Sequence, residues 1–312
     1  MRLTDRLSER SLAIFLFHGT VERCRSAVRN YTRKHLEGGT FRTLMEDLTR
    51  AGRPLSMDDV LEHYRHREPF PPRAFAVTFD DGFENNYSIA APILAELEVP
   101  ATFFVTSSFV EHNSMSWIDR IEYCLEQVPR GALRLPWADR PQPYRDRRSK
   151  IALLEQIRRV AKSDPTVDLD ALVGEVFAQS GVPEIIASDD PLDKKMSWPQ
   201  VAELARHQLF TVGGHGHTHR IMTFLDDDAL EADVASCLDS LGRGAGVAAR
   251  HYSYPEGMAH CYSDRVIEVL KRHGVVCCPT ARDGTNALDA SLFELKRIPV
   301  VSVSQSLSPL VP

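Results

Sequence analysis

Short apolar runs alternate with segments of helical spacing along most of the chain, and this alternation limits the fold more than any other feature. The runs AIFLF (13–17), AFAVTF (74–79), ATFFVT (101–106), LFTVGG (209–214) and HYSYP (251–255) read as strands buried on both faces. Between them Phe41, Leu44, Met45 and Leu48, and then Ile89, Ile93, Leu94 and Leu97, recur three and four residues apart, the spacing of one helix face. A further helix over 198–207 starts after Ser197 as N-cap, with Pro199 in its first turn, and leads into LFTVGG. Strands that alternate with helices pair in parallel, so the chain is an α/β barrel or a doubly wound sheet.

The stretch 128–195 breaks the pattern. A Pro- and Arg-rich segment, LPWADRPQPYRDRR, is followed by two amphipathic helical patterns and the polar loop ASDDPLDKK. We expect a helical insertion within a single domain spanning 1–312. It either lies over the mouth of the α/β unit or sits beside it as a solvated helical pair.

Lys and Arg number 37 against 43 Asp and Glu, with no long basic stretch to neutralise phosphates in series, so nucleic acid is excluded as partner. The first residues interleave charges ahead of a short apolar run, which is neither a secretory core nor a membrane span, and a cytoplasmic protein is expected. The six cysteines are scattered without a CxxC pair and are expected to be reduced, mostly buried small hydrophobes.

Two clusters carry chemistry. Phe79-Asp80-Asp81-Gly82 closes an apolar run. Adjacent carboxylates on an extended chain point to opposite sides, but a turn at a strand end, which Gly82 permits, lets both reach one site. One can then bind a cation while its neighbour takes a proton; otherwise the motif is an Asp-Gly turn with solvated acids. The second cluster is Gly214-His215-Gly216-His217-Thr218-His219, in which three histidines crowd five residues. His215 and His219 share a face if the segment turns helically, leaving His217 pointing elsewhere; the alternative has His217 as ligand in place of a neighbour. Two imidazoles and one carboxylate leave positions open for water and substrate, as catalytic zinc sites do, although Co, Ni, Mn or Fe also suit such a set.

FDDG after a strand, HxxxH after a later one, and Tyr254-Pro255-Glu256-Gly257 further on resemble the NodB-homology polysaccharide deacetylases of carbohydrate esterase family 4. VTFDDGFENNYSIAAPILAELEVPATFFVTSSFV (77–110) and MSWPQVAELARHQLFTVGGHGHTHRIM (196–222) extend the resemblance, and DGTN (283–286) with LKRIPV (295–300) suits its later part. The resemblance implies a deformed (β/α) barrel of about seven units. It implies Asp80 as catalytic base, Asp81, His215 and His219 as metal ligands, and the Glu256 N–H, in the turn after Tyr254, as an oxyanion donor.

The chain departs from that pattern in two places. Members carry a Leu-x-His near the C-terminus whose imidazole protonates the leaving amine, yet no histidine follows Arg297 here. LFHG, with His18 at the end of the first strand, resembles the rearranged subgroup containing poly-N-acetylglucosamine deacetylases, which makes His18 the expected general acid; the alternative is a polar strand-end histidine. Glu256 stands where an aromatic is usual, and Arg297 is the candidate to hold Asp80 bidentately and keep it ionised. Trp117 and Trp198 are read as core ahead of sugar-stacking platforms.

The expected activity is metal-assisted removal of an N-acetyl group from a sugar, with a nucleotide- or lipid-linked precursor of a surface glycan as substrate. Deformylation, O-acetyl ester cleavage, opening of a cyclic amide, or silent sugar binding are the alternatives on the same scaffold.

Overall fold

The computed structural model describes residues 2–301. Its central sheet contains β1 (Ala13–Phe17), β2 (Ala74–Phe79), β3 (Ala101–Val105), β4 (Phe210–Gly214) and β5 (Ile298–Pro299), ordered β5-β1-β2-β3-β4 with every pairing parallel. The first three are buried along their whole length, which is why their sequences lack polar alternation.

The register stacks like residues across neighbours. Phe17, Phe79 and Phe103 are Cα partners on β1, β2 and β3, and their rings lie 5.4 Å and then 5.1 Å apart in offset stacks. Such pairs add about 0.5–1.5 kcal/mol each beyond the area they bury. Helix α1 (Gly38–Ala51) inserts Phe41, Met45 and Leu48 over them, Phe41 meeting Phe17 edge-on at 5.3 Å.

Beyond β4 the expected strand 251–255 is reduced to single parallel bridges, Gly214 to Tyr252 and His251 to Cys277. The Thr280 N–H then donates to Leu295 O and the Arg297 N–H to Arg282 O, at 2.8 and 3.0 Å. Backbone bonds therefore lead from β4 through these segments towards β5, which pairs with β1. The architecture is the expected parallel α/β one, with its later units irregular.

The connections are helical. Residues 86–90 form one π turn before α2 (Ala91–Glu96), so the apolar spacing beginning at Ile89 straddles two helix types. A separate apolar core joins α3 (Trp117–Gln127), α4 (Arg147–Ala161) and α5 (Leu169–Ser180) through Ile121, Leu125, Leu154, Ile157, Val173 and Phe177. It begins upstream of residue 128, and the Pro- and Arg-rich stretch contributes the strand Gln142–Tyr144, antiparallel to Gly131–Leu133. Helix α6 (Trp198–Arg206) starts after Ser197, whose N–H donates to Gln200 Oε1 at 2.8 Å, and α7 (Asp227–Ala245) backs β4. No helix among the described residues is long and apolar enough to cross a membrane.

Candidate active site

The parallel register delivers the chemistry-bearing residues to one end of the sheet. Phe17 pairs with Phe79, so His18 and Asp80 leave adjacent strands at the same level. Val105 pairs with Gly214, and the next N–H, of His215, donates to Val105 O at 2.9 Å. The Ser253 N–H donates to Gly214 O at 2.8 Å. This C-terminal end of the strands is where α/β barrels place catalytic groups.

Asp80 is buried and receives two N–H bonds from Arg297, Nη1 to Oδ1 and Nη2 to Oδ2, both 2.8 Å. Ser253 Oγ donates to the same carboxylate at 3.2 Å. Burial pushes the carboxyl's pKa up, but Arg297 and then His215 outweigh it and hold Asp80 below its ordinary value. It is an ionised carboxylate in a buried place.

Asp81 takes a φ of 75° and Gly82 one of 77°, so the backbone turns sharply after Asp80 and the two carboxylates diverge. Asp81 Oδ1 ends 3.5 Å from His215 Nε2 and 3.2 Å from His219 Nε2. Burial, which would raise its pKa, is overcome by hydrogen bonds with both rings, and Asp81 lies well below the usual carboxylate range. His215 Nδ1 lies 2.9 Å from the Ser253 carbonyl, which can only accept, so that nitrogen carries a proton, and Nε2, which faces Asp81, is the atom that a metal would take in place of the hydrogen bond. The ligand atoms of Asp81, His215 and His219 all lie within 4.8 Å of one another and could hold a metal ion. Two imidazole nitrogens with one carboxylate oxygen is a donor set that fits a divalent transition metal.

The segment after β4 is not the helical turn that the four-residue spacing suggested. Gly216 and His219 have φ of 77° and 57°, and the His217 and Thr218 N–H groups each donate to Asp233 of α7 at 2.9 Å. This loop, rather than one helix face, brings the His215 and His219 rings to 4.9 Å. His217 turns away, its Nδ1 2.8 Å from Ser107 Oγ. His219 stacks on Phe109 at 5.6 Å.

His18 is partly buried beside these groups. Burial lowers its pKa more than the Asp81 and Asp80 charges raise it. Tyr254 is fully buried; its hydroxyl donates to Phe293 O at 3.0 Å, which commits it to the core. Glu256 has a φ of 61° and an ion pair with Lys162. Asp81, His219 and Glu256 thus all adopt left-handed backbone, a form of strain that clusters at functional sites.

A family model for polysaccharide deacetylases matches residues 67–278. The chain belongs to the polysaccharide deacetylase family. It shares its fold with solved structures. IcaB from Ammonifex degensii aligns over 95% of this chain and 94% of its own, at 17% identity and a TM-score of 0.57. The Streptococcus pyogenes deacetylase PplD, solved with acetate, aligns over 94% of each chain at 14% identity and a TM-score of 0.58. The poly-β-1,6-N-acetyl-D-glucosamine N-deacetylase of Escherichia coli (strain K12) is 34% identical over 58 residues, which cover 19% of this chain and 9% of that protein.

Two residues of this deacetylase escaped the sequence reading. Ser253 touches both His215 and Asp80 but follows no motif. Asp233 left a signal: it interrupts the apolar stripe of Leu230, Val234, Cys237 and Leu241, and an acid on a buried helix face needs partners. Trp117, read as core, is only partly buried and lines two cavities beside His219, whereas Trp198 packs against the core.

Proposed function

We propose that this deacetylase removes an N-acyl group, acetyl in the first instance, from a sugar, using a divalent metal held by Asp81, His215 and His219. Zinc is the preferred ion for that donor set. When bound, the metal would polarise the acyl carbonyl and acidify water. Asp80, kept ionised by Arg297, takes the proton from the attacking water. The Glu256 N–H meets the negative charge that develops on the acyl oxygen. His18 hands a proton to the departing amine.

The observation that carries this reading is the pairing of a bidentately clamped carboxylate with a neighbouring carboxylate that faces two imidazoles at the same strand ends. A metal store has no need of the first carboxylate. The short match to a poly-N-acetylglucosamine deacetylase favours N-acetylglucosamine as the sugar. All six cysteines are unpaired, which favours a reducing compartment and a cytoplasmic nucleotide- or lipid-linked sugar as substrate. Acetate release from UDP-N-acetylglucosamine and from N-acetylglucosamine oligomers, with zinc supplied or chelated, tests the proposal. Release that ignores chelation removes the metal from it, and no release from any substrate removes the activity.

A further inference from the structure

The helical segment from α3 to α5 reaches over the strand ends that carry the site, and its contacts hold it there. Lys162, at the end of α4, forms an ion pair with Glu256, and its carbonyl lies 2.8 Å from His260 Nε2. Arg220, next to His219 in sequence, bonds Asp170 of α5 at 3.0 Å. Between segment and strand ends lies a cavity of about 90 Å³, walled by His219, Phe224 and Glu256 below and by Trp117, Lys162 and Leu169 above. A second cavity, of about 210 Å³, shares Trp117, Leu169, His219 and Arg220 with the first. The residues common to both stand between the two spaces.

A sugar inside a polymer continues in two directions and needs an open groove past the reacting group. A free sugar, or one at a chain end, needs only a pocket. We infer that the helical segment makes this deacetylase act on single or chain-terminal N-acylated sugar units. Trp117 supplies an apolar face for the ring, and the Lys162–Glu256 pair supplies polar contacts for its hydroxyls or an anionic substituent. The inference rests on the deacylation reading and adds the position of the sugar within its molecule.

The test supplies the zinc-loaded full chain with N-acetylglucosamine 1-phosphate and with the β-linked N-acetylglucosamine pentamer, and maps free amines by tandem mass spectrometry. Free amine is expected on the single sugar and on terminal residues, at least tenfold over interior ones. Equal loss from interior residues overturns the inference while leaving deacylation intact. Acetate from neither substrate overturns both. In a second arm, Lys162→Ala, checked for an unchanged melting temperature, is expected to raise KM for the single sugar at least threefold and to admit interior residues. An unaltered KM and product pattern overturns the role of the helical segment. Should that variant melt early, the wild-type product map alone still decides.

Discussion

Arg297 and Asp80 share two parallel hydrogen bonds of 2.8 Å between the entry to β5 and the exit of β2, strands that flank β1 on opposite sides. Arg297 is fully buried, and its Nε is fixed on Thr280 O at 2.7 Å, so the fork is aimed before Asp80 arrives. Arg297→Lys keeps a charge but not the fork, and kcat is expected to fall about 10–100-fold with little change in KM. Arg297→Met leaves a buried carboxylate unpaired and should cost about 3–5 kcal/mol in urea unfolding. A lysine variant at wild-type rate would show that only the charge matters.

The proposed base, Asp80, adjoins one proposed metal ligand, Asp81, in sequence, yet the two roles should separate in experiment. Asp80→Asn is expected to lower kcat by roughly three orders of magnitude while elemental analysis still finds about one metal per chain. His215→Ala should lose both the metal and the activity, because it removes one of three donors. Retention of full metal content by the alanine variant would move the site elsewhere.

His18 is expected to serve the leaving group alone. His18→Ala should lower kcat on an amide about 100-fold, within the range typical of general acids, while cleavage of an activated aryl acetate, whose leaving group needs no proton, changes far less. Equal losses on both substrates would assign His18 to positioning.

The apolar runs made the parallel sheet legible because strands buried on both faces must be hydrophobic throughout, and the register then fixed which residues would share a strand end. Asp80, Asp81, His215 and His219 were visible because their residue types are costly to crowd without chemistry. The route by which His219 reaches Asp81 was not, since a left-handed residue at 219 and the Asp233 anchor are tertiary facts. Nor was the burial of Asp193 and Lys195, which lie in a loop that reads as solvated. Arg29 reaches Asp193 at 2.6 Å from far upstream, and Lys195 Nζ stands 3.7 Å from the Phe83 ring centroid. Burial brings the Lys195 pKa down to about 8 and raises that of Asp193 to about 6. Composition cannot reveal partners so distant in sequence.

Asp233 holds the His217 and Thr218 N–H groups and the Thr218 hydroxyl, the last at 2.6 Å. Asp233→Ala leaves three donors without their acceptor and is expected to destabilise the fold by about 2 kcal/mol. Because the same loop positions His219, metal affinity should fall at least tenfold, read by competition with a chelating dye. Unchanged affinity would show that His219 keeps its place without the anchor.

Glu256 and Lys162 tie the helical segment to the strand ends, and their pair should be visible in the pH dependence of stability. Burial would raise the Glu256 pKa, but Lys162 and then His219 bring it down from its ordinary 4.5 to about 2. A folded-state value below the unfolded one means that the ionised carboxylate stabilises the native chain. That contribution is complete above pH 4.5 and is lost as pH falls towards 2. At pH 7 Glu256→Gln is therefore expected to lower the unfolding free energy by roughly 3 kcal/mol, the equivalent of about two and a half pKa units. The gap between the two proteins should narrow as pH falls through that window, because protonation removes from the wild type what the substitution already lacks. Urea titrations at intervals between pH 7 and 3 measure the gap directly. A difference that stays constant over that range would mean that Glu256 holds the segment by packing rather than by charge.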